Sequence, residues 1–426
     1  MKNFLTLVLG AASGALVAAG IALHAAALPD CDPDNGGITL PRGFCALVVA
    51  DGVGPARHLA IAPNGDAYVA LLDDGPADPG GVGALRDANG DGRFDTKEKF
   101  GDKSVTGIAL RNGYLYIATP TSVLRYKMTA GQLVPSGRPE TVVHLPEQRQ
   151  HEDKGIAFDG KGSLYVNVGA PSNACAVPDW QPNAKGQDPC SLLNEHGGIW
   201  KFDENTLGQK QTPAGRFATG LRQMPAIAWH DDALYIVMNN RDALDTLYKD
   251  RFVPQDNIER PAEPMYRATR GENFGWPYCF WDYKQKQYLL NPEYGGDGKA
   301  VGRCTMFSAP VAAFPPHWAP VDVMFYTGTQ FPEKYRNGAF IAFHGSWNRS
   351  PMPQDGYNVT FQPFANGKPS SAFEVFADGF AGKSPLMQPN EAVTRADGVA
   401  QGPDGSLFIA DSERGKIWRV IYRGQS

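Results

Sequence analysis

One pattern recurs six times along this chain and restricts what it can fold into: an apolar strand ending in small residues, a polar turn, then a second strand of alternating β-formers. The copies are HLAIAPNGDAYVALL from His58, GIALRNGYLYIAT from Gly107, GIAFDGKGSLYVNVG from Gly155, AIAWHDDALYIVMN from Ala226, VMFYTGTQFPEKYRNGAFIAFHG from Val323 and GVAQGPDGSLFIAD from Gly398. Period-two alternation around Asn-Gly and Asp-Gly turns is a strong hairpin signal. A lone hairpin cannot bury both of its faces, whereas radial stacking buries them and leaves few open edges. The expected fold is therefore all-β, a six-bladed β-propeller. Its irregular repeat spacing calls for long inserted loops. A large β-sandwich accounts for the strands but not for the recurrence. The last strand signal, KIWRVIY from Lys416, is expected to close the ring against early sequence.

The segments between copies are informative. Those at 171–196, 249–320 and 350–392 exceed ordinary connection length, and such loops are usually functional. They are expected to roof one face and form the pocket. Four of the six cysteines lie in them, and the six fall as close pairs: Cys31 with Cys45, Cys175 with Cys190, and Cys279 with Cys304. Proximity alone selects these pairings, and an even count favours disulfides in an exported chain. Export has its own signal. Lys2 precedes an uncharged stretch from Phe4 to about Leu23 that ends in small residues at Ala25 to Ala27. Residues 1–27 thus read as a signal peptide or an uncleaved membrane anchor, and 28–426 as one periplasmic or secreted domain. A net charge of −5 provides no basic field for nucleic acid or anionic lipid.

Several constellations carry chemistry. DANGDGRFDTKE places Asp87, Asn89, Asp91, Asp95 and Glu98 at positions 1, 3, 5, 9 and 12 of an EF-hand-like loop, with Gly92 at the sharp turn. The expectation is a structural calcium site grafted onto a blade. The alternative is an acidic, metal-free hairpin. His151 precedes a blade strand in QRQHEDKGIAF, where it is a candidate general base, and Lys154 follows three residues later. Arg222 holds the same position in the next copy. Asn240, Arg241, Asp242 and Asp245 lie just past one strand, His344, Trp347 and Arg349 past another, and Arg395 and Asp397 before the last hairpin. Arginines on a shared face suit an anionic, planar ligand, because guanidinium grips carboxylates and stacks on flat π-systems.

The runs HEDKGIAF, LYVNVGAPSNAC, GLRQMPAIAWH, NNRDALD, NFGWPY, FHGSWNRS and GVAQGPDGSLFIADSERGKIWRV cover nearly the whole chain after the leader. Together they resemble the sorbosone dehydrogenase branch of the soluble glucose and sugar dehydrogenases that depend on pyrroloquinoline quinone (PQQ). The resemblance implies a six-bladed propeller with PQQ and calcium as cofactors. It implies oxidation of an aldose or keto-aldehyde sugar by hydride transfer to PQQ, with electrons leaving to an external quinone or cytochrome. It also implies His151 as the base and Arg222 beside the reacting carbonyl, with Lys154, Arg222, Gln223, Arg241, Arg349 and Arg395 as cofactor-binding residues. Main-chain carbonyls near Asn240 and Arg241 are implied as ligands of the cofactor calcium. The sequence departs from the pattern at Gln223, at Glu152 and Asp153, and at Asp397, which brings negative charge towards an anionic cofactor. Two other classes stay open, a calcium-dependent propeller lactonase and a non-catalytic binding propeller.

Overall fold

The computed structural model describes Met1 and residues 28–424, so the leader reading falls almost wholly outside the described residues. Five antiparallel sheets follow one another along the chain, at 56–100, 107–144, 156–219, 223–314 and 320–377. The second gains an extra short strand, Gln209–Lys210, paired in parallel with Glu140–His144. A sixth sheet is built from both ends of the chain: Ala396–Gln401, Leu407–Asp411 and Ile417–Tyr422 are joined by Phe44–Ala50. Here the final strand finds its partner, with Phe44 opposite Tyr422 and Val48 opposite Trp418. The disulfide Cys31–Cys45 fastens that closing strand to the segment before it.

The innermost strands of the six blades pack each against the next in a closed circle. This ring explains why the hairpin repeats so often open on glycine. A Cβ on Gly155 would lie 2.0 Å from the Pro225 carbonyl oxygen, and one on Gly398 would lie 2.4 Å from that of Arg57. Blades therefore meet at the axis backbone to backbone, which only glycine permits. Farther out, the alternating residues of neighbouring sheets interleave. Tyr165, Ile227, Leu234 and Ile236 pack together between the third and fourth blades. Tyr326, Phe340, Ile409 and Trp418 do so between the fifth and sixth. Each such buried side chain contributes about 2 kcal/mol.

Polar turn residues close the hairpins from within. Asp159 Oδ1 accepts from the amides of Lys161 and Ser163 at 2.8 and 3.0 Å, and Asp404 Oδ1 accepts from that of Ser406 at 3.1 Å. Such side-chain acceptors mimic a backbone turn. Because every innermost strand begins on the same face of the ring, residues just before it and residues just after the second strand converge there. The insertions gather on that face too. Cys175–Cys190 and Cys279–Cys304 each close a loop within one of them.

Candidate active site

A cavity of about 340 Å³ opens on this face, lined by His151, Arg222, Gln223 and Asp242 among others. His151 and Arg222 arrive from the leading edges of the third and fourth blades, as their repeat positions require. Trp180 and His317 arrive from the insertions at 171–196 and 249–320, so both of those loops help to wall the site. The third long segment, 350–392, instead walls a separate cleft beside it.

The His151 ring is held through Nδ1, which lies 2.5 Å from the Ala170 carbonyl oxygen. A carbonyl oxygen only accepts, so Nδ1 carries the proton and Nε2 keeps a free lone pair. Loss of hydration, reinforced by the Arg222 charge, pushes the imidazole pKa down to about 3. The ring is therefore neutral at physiological pH.

Arg222 is buried. It donates through one terminal nitrogen to the Asn240 carbonyl at 2.8 Å and through the other to Asp242 Oδ2 at 2.8 Å. Asp242 also takes Asn348 Nδ2 at 2.6 Å and stands 3.3 Å from His317 Nδ1. Burial alone would raise the Asp242 pKa, but the Arg222 charge and the His317 and Asn348 contacts outweigh it and hold the carboxyl below the usual carboxylate range. Its backbone is pinned by Asn173, which accepts from the Asp242 amide and donates to its carbonyl, both at 3.0 Å. Below this network Glu263 accepts from the Asn240 amide at 2.8 Å, and burial pushes its pKa up to about 7. Among the described residues, Arg222 Nε and Gln223 Oε1 are buried without a hydrogen-bond partner. These are a donor and an acceptor left for a ligand.

The other cationic residues singled out in the sequence are committed elsewhere. Lys154 is fully buried and donates to the Glu152 carbonyl at 2.5 Å. Arg241 is fully buried against Glu293 at 2.6 Å and Asn291 at 3.2 Å. Arg349 donates to the carbonyls of Pro353, Ile258 and Pro316 at 3.2, 3.4 and 3.4 Å. Arg395 is shared between Glu413 at 3.1 Å and the Pro389 carbonyl at 2.6 Å. None of these four lines the cavity. Asn240 does, but its carbonyl already receives Arg222. Asp397 is offset by Arg57 at 3.5 Å, with His344 3.8 Å away. Burial lifts its pKa to about 6 against the opposing pull of Arg57 and His58.

The acidic loop is wrapped around its own oxygens. Asp87 accepts from the amides of Gly90 at 2.7 Å and Gly92 at 2.8 Å, Asp91 from Arg93 at 2.8 Å, and Asp95 from Ala88 at 3.0 Å. Asn89 accepts from Asp91 at 2.9 Å. Glu98 stays on the outer strand opposite Ala84, two pairs beyond the Arg86–Thr96 pair that borders the turn. Among the described residues, no three His, Cys, Asp or Glu side chains are grouped to hold a metal ion. Trp180, Glu263 and His317 carry no motif and lie in the inserted segments at 171–196 and 249–320, while Asn348 sits inside the FHGSWNRS run between Trp347 and Arg349 without marking itself as a site residue.

A family model described as TrAA12-like matches residues 38–423. The chain belongs to the TrAA12-like family. It is similar to the pyrroloquinoline quinone-dependent pyranose dehydrogenase of Coprinopsis cinerea, at 30% identity over 274 residues covering 58% of this chain and 35% of that protein. It spans less than two thirds of the length of the curated relatives it matches. In fold it is similar to the iodide structure of Trichoderma reesei carbohydrate-active enzymes family AA12, with a TM-score of 0.72 at 19% identity over 92% of this chain and 98% of that one. It is likewise similar to the holo form of the Coprinopsis cinerea pyranose dehydrogenase PQQ domain, with a TM-score of 0.69 at 17% identity over 90% and 97% of the two chains.

Proposed function

We propose that this TrAA12-like chain is an exported quinoprotein dehydrogenase that oxidises an aldose or a keto-aldehyde sugar such as sorbosone and passes the electrons to an external acceptor. The observation that carries the reading is His151: a neutral imidazole with Nδ1–H tied to Ala170 and Nε2 unengaged, in the same cavity as a buried arginine. The unpartnered Arg222 Nε is a donor that fits an oxygen of a flat, anionic group and Gln223 Oε1 is an acceptor that fits a ring N–H, and Arg222 and Gln223 are the residues that would hold it. When bound there, pyrroloquinoline quinone supplies a two-electron acceptor for hydride.

The chain's own residues supply the rest. His151 Nε2 takes the proton of the sugar hydroxyl as its carbon is oxidised, a task that needs the base free of a proton beforehand. Arg222 provides fixed positive charge where oxygen becomes anionic. Asp242 orients Arg222, and the insertion walls keep water from the reacting atoms. The acidic loop at 87–98 is proposed as a structural calcium site in which Asp87, Asn89 and Asp91 exchange their amide partners for the ion, whereas the Asn240 carbonyl is held by Arg222 and no second ion is placed there. The three disulfides support maturation in an oxidising compartment.

Purified protein supplied with pyrroloquinoline quinone and calcium, then assayed for dye reduction with glucose and sorbosone, tests the reading. Substrate-dependent reduction that requires the quinone is expected. Quinone that neither changes its absorbance on mixing nor supports reduction of dye by either sugar would overturn it.

A further inference from the structure

His151 stands in the left-handed backbone region, at φ 56°. A residue with a side chain persists in such a conformation only where its surroundings over-determine it. The ring supplies one restraint through Ala170, but a ring hydrogen bond alone leaves the His151 main chain free to turn. The main chain is held separately. Gln148 Nε2 donates to the His151 carbonyl at 2.6 Å, and the same amide nitrogen reaches the carbonyls of Gln150 at 2.7 Å and Gly169 at 3.2 Å. Gly169 admits this approach because it lacks a side chain. A Cβ there would lie 2.5 Å from the His151 carbonyl oxygen and 2.8 Å from the His151 Cβ. Residues 169–170 thus grip the histidine by ring and by main chain, and the Ala170 amide in turn donates to the Arg222 carbonyl at 2.7 Å.

Which end of the Gln148 amide faces the carbonyls is set by Lys154. An ammonium only donates, so it takes the amide oxygen, at 3.4 Å, and leaves the NH2 group to the three carbonyls. Lys154 is fully buried, and its other contact is the Glu152 carbonyl at 2.5 Å. Burial pulls its pKa down to about 8 against the pull of Asp153 and Glu152, which leaves it charged at neutral pH. A buried cation held only by carbonyl oxygens is costly to keep. Neither Gln148 nor Lys154 lines the His151 cavity.

We infer that Gln148 and Lys154 are positioning residues, a brace that fixes the His151 main chain and so keeps the imidazole turned to the cavity. The consequence for turnover rests on the dehydrogenase reading, whereas the brace itself does not.

The test follows the His151 ring nitrogens by NMR in the cofactor-free full chain with isotope-labelled histidine, the signals being assigned by their loss in His151→Ala. Turnover with quinone, calcium and glucose is measured in parallel. Gln148→Met and Gln148→Glu keep the length of the side chain and remove its N–H donors, and Lys154→Met removes the ammonium. Asp159→Ala opens the hairpin turn of the same blade and controls for lost stability alone. In the Gln148 and Lys154 variants the His151 signals are expected to move and kcat to fall about ten- to a hundredfold, with KM changed by less than about threefold. Asp159→Ala is expected to lower the melting temperature and to leave the signals and kcat in place. His151 signals that coincide with wild type in Gln148→Met, or that move as far in Asp159→Ala, would overturn the brace. Signals that coincide only in Lys154→Met would remove Lys154 from it, and moved signals with wild-type kcat would overturn its part in the reaction. Should Lys154→Met not fold, the two variants at half-buried Gln148 decide. A wild type that oxidises no sugar defeats the dehydrogenase reading and leaves the NMR result standing.

Discussion

Arg222 and Asp242 meet at 2.8 Å beneath the cavity, and among the described residues Asp242 is the only carboxylate paired with that guanidinium. The pair is buried, so its two charges depend on each other far more than a surface pair would. Arg222→Ala is expected to destabilise the fold by about 3–5 kcal/mol because it strands the Asp242 charge. Adding Asp242→Asn is expected to recover part of that loss. Chemical denaturation of the single and double variants measures both.

His151→Ala is expected to lower turnover by about 10² to 10⁴-fold, the usual contribution of a general base. Since the His151 pKa is held near 3 in the fold, sugar oxidation is expected to lose no base-catalysed rate around pH 6.5. The pH–rate profile checks this: an acid limb at the ordinary histidine value would contradict the burial argument. Stability moves in the linked direction. Between the unfolded value near 6.5 and about 3, the unfolded chain binds the proton and the folded one does not, so this group's contribution declines as pH falls through that window.

Asp397 titrates in the opposite sense. Its pKa is raised from 3.8 to about 6, so the folded state binds the extra proton and loses this contribution as pH rises from about 4 to 6. Relative to wild type, Asp397→Asn is expected to gain about 3 kcal/mol on going from pH 4 to pH 8. Thermal unfolding of both proteins at the two pH values reads the difference.

Gly155→Ala is expected to be severe because its Cβ would collide with the Pro225 carbonyl at 2.0 Å. Backbone cannot rotate aside as a side chain can, so a loss of about 1–3 kcal/mol or more follows. Gly137→Ala is the control, because the added methyl would have nothing within 4 Å and the residue has no left-handed φ. Melting temperatures that fall equally for both would remove the argument for axial crowding.

The Cys175–Cys190 loop adjoins Asn173, which pins the Asp242 backbone and receives the Trp276 indole N–H at 2.9 Å. Replacing both cysteines by serine is expected to cost about 3 kcal/mol in the chain-entropy account. It is also expected to loosen the Arg222 anchor, so turnover should fall along with stability. Turnover that survives at wild-type level in the opened loop would separate the two.

The six blades were legible in the chain itself because β-structure is written locally. Alternation around Asn-Gly and Asp-Gly turns specifies each hairpin, and the recurrence of its small-residue strands specifies the ring. The three cysteine pairs were legible for a similar reason, since each closes a short loop. His151 and Arg222 were legible as a pair because they hold one repeat position in adjacent blades, which radial stacking brings to one face.

What those charged residues touch was settled by tertiary packing. Lys154, Arg241, Arg349 and Arg395 bear the same charge as Arg222 and lie near the same face, yet each is spent on a carbonyl or carboxylate outside the cavity. A guanidinium reaches several ångströms in any direction, so chain position does not select its partner. Glu263 and His317 entered the site from the long segment at 249–320, where no periodicity marks a residue as facing the axis, and Asn348 from the turn just past the strand that ends at His344. Sequence determined the repeating backbone through local hydrogen bonding and alternation. The site's wiring was decided by contacts that only folding makes, between the two ends of one hairpin at Arg222 and Asp242 and between Asp242 and Asn348 from the next blade.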